Sequence, residues 1–133
     1  TTIDHLRNQR DQYDLFLDLD HGQAVESQLG NLLLLGKRIP VAILLQLMKQ
    51  PGQTHSTESL YAAVWGHPYE GESSAAQVRK NISALRNLLE PERKNPRYLL
   101  VREHAYGVAG GYYFNETASC CVIHPLPVGI PIE

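Results

Sequence analysis

The side chains best suited to chemistry in this chain are amides and cations gathered in one short stretch, residues 77–87. Glutamine, asparagine, arginine and lysine can hydrogen-bond to base edges or hold the phosphates of a nucleic acid. The stretch contains Gln77, Arg79, Lys80, Asn81, Ser83, Ala84, Arg86 and Asn87. Most amphipathic surface helices simply expose such residues to water, so the stretch is a candidate that needs support from its surroundings.

The charge distribution supplies that support. The net charge is −2, yet between Ser73 and Arg102 there are seven lysine and arginine residues and two glutamates, a local balance of +5. The rest of the chain carries −7. Because a polyanion responds to a local positive surface more than to the total charge, this distribution is compatible with a nucleic acid as the partner.

Other kinds of site find little support. The six histidines show no metal-ligand spacing, and no Cys-x-x-Cys accompanies them. The glycine-rich residues 107–111 are not followed by the Lys-Ser/Thr pair of a nucleotide-binding loop. Asp18 and Asp20 alternate with leucines, so we interpret them as the solvent face of a strand rather than as an acid–base pair. We therefore expect no enzyme activity, no cofactor and no metal.

Composition predicts a globular domain. Of the 133 residues, 43% are hydrophobic and 20% are charged. No apolar run approaches the roughly 20 residues that cross a membrane, and nothing resembles a signal peptide. The only cysteines are the adjacent pair Cys120 and Cys121, which suits a reducing compartment. We expect a cytoplasmic protein without a membrane partner, and a piece of a longer protein that includes an unseen regulatory domain.

The elements that must position the basic stretch follow from periodicity. Residues 1–13 predict a linker or a short leading helix. Residues 14–20 alternate as in a half-buried strand, residues 24–27 suit a return strand, and residues 32–35 suit a buried strand. The N-terminal third is therefore predicted to be a small antiparallel sheet.

The period then becomes helical. One helix begins near Pro40 and ends before Pro51, and a second begins with Ser56 as N-cap and closes at Gly66. A third, capped by Ser73 or Ser74, extends to about residue 89. Its predicted buried face is Val78, Ile82, Leu85 and Leu89.

The remainder predicts strands. Residues 98–102 and 111–114 are rich in β-formers and read as a hairpin. The tail, residues 115–133, predicts an edge strand from Cys120 followed by irregular, proline-containing chain. The expected fold class is α+β: a sheet, three helices and a C-terminal hairpin, with the domain proper spanning residues 14–114.

Several motifs at matching distances point to a known family. They are Gln50-Pro51-Gly52, Val64-Trp65-Gly66, Ile82-Ser83-Ala84-Leu85-Arg86 and Tyr98-Leu99-Leu100-Val101-Arg102. Over residues 14–114 the chain resembles the OmpR/PhoB-type effector domain of bacterial response regulators. The resemblance implies a winged helix-turn-helix fold whose third helix lies in the DNA major groove.

The resemblance also implies roles for individual residues. Lys80 and Asn81 would lie deepest in the groove, while Ser83 and Arg86 would approach the DNA backbone. The family often carries a long basic residue where this chain has Ala84, which could instead meet a thymine methyl group.

The second helix is implied to contribute as well. Trp65 is either a core aromatic or a donor of its indole N–H to a phosphate, and both can hold together. At the start of that helix, Thr54, His55 and Ser56 would add contacts to the DNA backbone through hydroxyl groups and the helix N-terminus.

The wing admits two alignments. Residues 102–108 align directly with the family's short turn, with Tyr106 as the family tyrosine. Alternatively the wing is longer and residues 111–114 form the return strand, which we favour because they make a better strand. Either tip offers Arg102, His104 and Tyr106, and phosphate would repel Glu103.

The sequence thus predicts sequence-specific binding of double-stranded DNA by the output domain of a bacterial transcriptional regulator. The alternative is a winged helix used for protein–protein contact. The acidic loop, residues 67–72, is either an ordinary solvated connection or a contact for RNA polymerase. We expect a monomer in free solution that pairs head to tail on DNA.

Overall fold

The structure, a computed structural model, describes residues 2–125. Along the chain its elements are α1 (Thr2–Asn8), β1 (Leu15–Asp18), β2 (Gln23–Glu26), β3 (Gly30–Leu33), α2 (Arg38–Met48), α3 (Thr57–Trp65), α4 (Glu72–Leu89), β4 (Leu99–Arg102), β5 (Gly111–Phe114) and β6 (Cys120–Ile123), with a 3₁₀ turn at Arg10–Gln12. The chain divides into two compact units. The sheet unit comprises Thr1–Gly36 with Ser119–Glu133, and the helical unit is Lys37–Ala118. The α+β class is confirmed.

The sheet unit contains a four-stranded sheet in the order β3-β2-β1-β6. β1 pairs antiparallel with β2, and β2 with β3. β6 is parallel to β1, with Leu15 opposite Cys120. A parallel neighbour needs a long connection, and the whole helical unit lies between these two strands in sequence. The remaining proline-rich tail falls on residues 126–133, outside the described residues.

The strand predicted at residues 14–20 is present as the shorter β1, but the prediction that it is half-buried is wrong. All four residues of β1 are buried, including Asp18. Arg7 Nε donates to Asp18 Oδ2 across 2.8 Å. Burial alone would raise the pKa of Asp18, but the bonds from Arg7 and from the His21 N–H outweigh it and lower this pKa. Asp18 is therefore not a solvent-facing residue. Its charge can be buried because the carboxylate pairs with the guanidinium of Arg7.

The prediction of a buried strand at residues 32–35 is also wrong. The strand is β3, two residues earlier, and the side chains of Leu33 and Leu35 are 65% and 74% exposed. β3 lies at the edge of the sheet, and successive side chains of a strand point to opposite faces. A continuous run of leucines therefore does not require burial on both faces.

Helix ends in the helical unit follow local chemistry. Pro40 lies in the first turn of α2, where its missing N–H costs nothing. Ser56 caps α3 as predicted, its Oγ accepting the Ser59 N–H at 3.0 Å, and Gly66 closes that helix with a φ of 68°. The predicted cap of α4 is wrong: Gly71 is the N-cap. Ser74 lies inside the first turn, where its Oγ accepts the Glu70 N–H.

α4 packs on α2 and α3 and is followed by the β4–β5 hairpin, with Leu99 opposite Phe114 and Arg102 opposite Gly111. Glu90, buried at the end of α4, accepts the backbone N–H groups of Arg97, Tyr98 and Leu99 and so fixes the start of β4. The return strand is residues 111–114, so the longer alignment of the wing is confirmed. Three helices followed by this hairpin make a winged helix-turn-helix.

Candidate nucleic-acid interface

α4 has one buried and one open face. Val78, Ile82, Leu85 and Leu89 are each at most 1% exposed, which confirms the predicted core stripe. The opposite positions form a polar face in which Gln77, Arg79, Lys80 and Asn87 are exposed and Asn81, Ser83, Ala84 and Arg86 are half-buried. We call these eight residues the α4 polar face. An α-helix with such a face fits the major groove.

Two side chains of the α4 polar face bond to α4 itself. Arg79 pairs with Glu72, seven residues earlier in α4, and this pairing raises the pKa of Arg79. Asn81 donates one N–H to the Gln77 carbonyl at 2.8 Å. A side-chain amide has two donors and an acceptor, so Asn81 retains a donor and its oxygen for a ligand.

Arg93 joins this face although the sequence analysis did not select it. Its guanidinium donates to Ser83 Oγ across 2.6 Å and also to the Asn87 side-chain oxygen. Arg93 follows Pro91, beyond the end of the helix, so helical periodicity cannot assign it to a face. The only sequence signal was its share in the local positive charge. The loop thus adds a cation that two helix residues hold in place.

Arg86 is turned partly toward the hairpin. Its Nη2 donates to the Leu99 carbonyl at 3.3 Å, and its guanidinium carbon lies 5.9 Å from the Tyr112 ring centroid. Its Nε is buried and has no hydrogen-bond partner among residues 2–125. Arg86 therefore links α4 to both strands of the wing, in addition to whatever it contributes at the surface.

The start of α3 and the base of the wing are joined by a second arginine. Arg102 Nη1 donates to the Gly52 carbonyl at 2.8 Å and to Thr54 Oγ1 at 2.6 Å. Its guanidinium carbon lies 4.0 Å from the Tyr113 ring centroid, a cation–π contact. Two residues predicted separately as DNA contacts, Thr54 and Arg102, are thus brought together.

His55 does not fit its predicted role. Its side chain is only 8% exposed, and both its backbone N–H and its carbonyl pair with Tyr112. Burial lowers the pKa of His55, which favours the neutral imidazole. Because neither the side chain nor the backbone of His55 is open to a ligand, we correct the prediction: His55 positions the wing.

Two glycines allow this close approach. A Cβ added to Gly111 would lie 2.1 Å from the His55 carbonyl oxygen, and one added to Gly110 would lie 2.4 Å from that of Arg102. Backbone atoms cannot move aside as a flexible side chain can. The base of the wing is therefore fixed against α3.

The tip of the wing, residues 103–109, is exposed throughout. It holds His104 and Tyr106, as predicted, and ends in a tight turn in which Ala105 and Val108 exchange backbone hydrogen bonds. Glu103 is its only acidic residue, and the segment has no lysine or arginine. The predicted tip cation, Arg102, instead lies at the base.

Charge separates between the two units. The helical unit contains ten lysine and arginine residues and seven glutamates, whereas the sheet unit contains two arginines and seven carboxylate side chains. Of the glutamates beside the α4 polar face, Glu90 directs its carboxylate to buried backbone N–H groups. The unit that carries α4 and the wing is therefore net positive, although the whole chain is net negative.

Comparison with known proteins agrees with this geometry. The family model described as "Transcriptional regulatory protein, C terminal" matches residues 35–107, more than half of the 133 residues. The chain belongs to this family. The family is one of DNA-binding output domains in transcriptional regulators and is not typically one of enzymes.

One solved structure among those that match is the response regulator DrrB of Thermotoga maritima, an OmpR/PhoB homologue. It is 24% identical over 71% of this chain, with a TM-score of 0.47. The present chain spans 42% of that protein's length. No curated protein matches the chain.

In this transcriptional regulatory domain, Trp65 is half-buried at the end of α3 and stacks on Tyr61 with ring centroids 4.9 Å apart. Tyr69 meets the same Tyr61 edge-on at 5.9 Å. These rings pack the loop between α3 and α4 against α3. The acidic pair of that loop is also divided, because Glu72 already belongs to α4 whereas Glu70 remains in the loop.

Within residues 2–125 of the domain, no helix is long and apolar enough to cross a membrane. The same residues contain no group of three or more histidine, cysteine, aspartate or glutamate side chains placed to hold a metal ion.

Proposed function

We propose that this domain binds double-stranded DNA in a sequence-specific manner, with α4 in the major groove and the wing near the minor groove. The observation that carries the proposal is the α4 polar face: amide and cationic side chains stand opposite a fully buried stripe on one helix. Such a helix is held rigidly by its core side, so its outer side chains can be presented to base edges in fixed positions.

Each part of the face receives a role. Lys80 and Asn81 read base edges, because both belong to the α4 polar face in the middle of α4 and Asn81 keeps a donor and its oxygen for a ligand. Gln77 extends this readout toward the start of the helix, and Ala84 contacts a thymine methyl. Arg79 and the pair of Ser83 with Asn87, through Arg93, hold phosphates.

The surrounding elements hold the DNA backbone. Thr54 and Arg102 approach one strand together as a bonded unit, and Trp65 offers its indole N–H to a phosphate. Arg86 contributes through its partly exposed guanidinium. His104 and Tyr106 lie on the wing tip, nearest the minor groove.

We further propose that the domain is the output module of a cytoplasmic response regulator, controlled by a regulatory domain elsewhere in the protein. The loop at residues 67–71 and the start of α4 then contact RNA polymerase. The support is chemical: Glu70, in the loop, and Glu72, in the first turn of α4, are exposed acidic residues that phosphate would repel.

The experiment is selection of duplexes from random DNA, followed by anisotropy titrations of the recovered sequence. Asn81→Ala should relax discrimination at one or two base pairs by about 1–3 kcal/mol. Lys80→Gln should weaken binding, whereas Arg10→Gln, which removes one positive charge from the sheet unit, should change neither affinity nor sequence preference. No enrichment in the selection, or an unchanged motif with Asn81→Ala, would overturn the proposal.

A second candidate function is protein–protein contact through the wing. The specific observation in its favour is a tip without lysine or arginine that carries Glu103. Under this alternative, mixed-sequence duplexes would show no binding even at low salt, where the phosphate contribution is greatest.

A further inference from the structure

The turn at the tip of the wing has an unusual residue in its first position. The Ala105 N–H donates to the Val108 carbonyl at 3.1 Å, and the Val108 N–H donates back at 2.9 Å. The two residues between them, Tyr106 and Gly107, both have positive φ, 52° and 76°. Type I′ hairpin turns require positive φ at both central positions, and asparagine followed by glycine is the preferred pair.

Tyr106 is the only non-glycine residue with positive φ among those described. A bulky side chain in this region costs conformational free energy that asparagine or glycine would largely avoid. No packing offsets this cost, since the Tyr106 side chain is completely exposed and its neighbour Val108 is 69% exposed. Strained residues that the fold does not need are a reason to look for a ligand.

The base of the wing is, by contrast, strongly held. His55 and Tyr112 exchange backbone hydrogen bonds, Gly111 permits their approach, and Arg102 bonds to Thr54. The tip is thus an aromatic ring and a valine carried on a fixed hairpin. The tip has no lysine or arginine, and Arg102 is engaged at the base, so the tip cannot hold DNA by charge.

We propose that the ring of Tyr106 is a wedge that enters the minor groove, partly unstacks one base step and bends the duplex. This inference rests on the proposed DNA binding and adds how the wing contributes to it. Apolar wedges between base steps kink DNA toward the major groove, and flexible pyrimidine–purine steps yield most easily. Val108 lies against the sugars beside the opened step, and the tyrosine hydroxyl bonds to a groove acceptor.

The test compares Tyr106→Asn and Tyr106→Phe with the unchanged domain on the selected duplex, labelled at both ends for energy transfer. Because asparagine suits positive φ, Tyr106→Asn should fold with an equal or higher Tm. It should bind about tenfold more weakly, as expected for one lost aromatic stack, and should no longer bend the duplex. Tyr106→Phe should keep the bend and most of the affinity.

The salt dependence separates this wedge from a phosphate contact. Tyr106→Asn should leave the slope of log Kd against log salt unchanged, because no counterion release is lost. Equal bending and affinity in Tyr106→Asn and the unchanged domain would overturn the wedge while leaving DNA binding intact. The wedge would also be overturned if Tyr106→Asn still bent the duplex and its salt slope differed from that of the unchanged domain. If the unchanged domain bound no duplex at all, the proposed function would fail first, independently of Tyr106.

Discussion

The guanidinium of Arg102, in β4, donates to the hydroxyl of Thr54, just before α3, across 2.6 Å. The two residues lie 48 positions apart in the sequence, and their bond joins the wing to the start of α3, the first helix of the helix-turn-helix. The same arginine covers the Tyr113 ring. A change at either end should therefore loosen the wing in the same way.

We expect Thr54→Ala and Arg102→Ala to accelerate amide hydrogen exchange in β4 and β5 and to weaken DNA binding. The double variant should be no worse than Arg102→Ala, since the interaction is lost once; the expected coupling is about 1 kcal/mol. Hydrogen exchange and anisotropy on the three variants measure this. Additive effects would show that Thr54 and Arg102 act separately.

The core side of α4 should control stability. Ile82 is 1% exposed, so Ile82→Ala should lower the free energy of unfolding by about 2–5 kcal/mol through lost burial and a cavity. Gln77→Ala, on the opposite face of the same helix, should stay within about 0.5 kcal/mol of the unchanged domain. Urea denaturation followed by circular dichroism measures both. The reverse order would mean that α4 faces the other way.

Arg93 should behave as a phosphate contact. Arg93→Ala should weaken binding equally for all sequences and reduce the magnitude of the salt slope by about 1. Ser83→Ala and Asn87→Ala should each give part of the same loss, because these side chains hold the guanidinium. Anisotropy titrations at several salt concentrations on selected and mixed duplexes test this, with Arg10→Ala as the charge control. A changed sequence preference in Arg93→Ala would contradict it.

Arg93 lies beyond the end of α4, so the sequence pattern could not assign it to the α4 polar face, whereas other features were predictable. The caps of α3 and the buried stripe of α4 were predictable because Ser56, Gly66 and the apolar spacing act through local geometry. Asp18 was misjudged because its environment depends on Arg7, a residue from another element. Likewise the role of His55 depends on its pairing with Tyr112 in the hairpin, and the role of Arg102 depends on its bonds to Gly52 and Thr54. The roles of interface side chains that bond to residues distant in the sequence could therefore be assigned only from the structure.

Assembly provides a further test. One recognition helix reads too few base pairs to be selective, so we propose that two copies occupy half-sites about 10 base pairs apart in a head-to-tail arrangement. We expect a monomer in free solution by light scattering. Gel-shift stoichiometry should give one domain on a single half-site and two, bound more tightly, on a direct repeat. A stable dimer without DNA, or equal affinity for one half-site, would contradict the arrangement.

The last prediction concerns pH. Burial lowers the pKa of His55 in the folded domain, whereas the unfolded chain has the ordinary value near 6.5. Below that value the unfolded chain binds more protons than the folded one. The free energy of unfolding is therefore unaffected by His55 above about pH 6.5 and decreases as the pH falls below it.

Urea denaturation between pH 5 and pH 8 should therefore show a loss of stability on acidification that is smaller in His55→Gln, which cannot titrate. His67→Gln, with an exposed histidine in the loop before α4, should follow the unchanged domain. Because Tyr112 pairs with the His55 backbone, amide exchange at Tyr112 should rise along with the loss. Parallel pH profiles for the unchanged domain and His55→Gln would show that the buried imidazole does not couple the wing to pH.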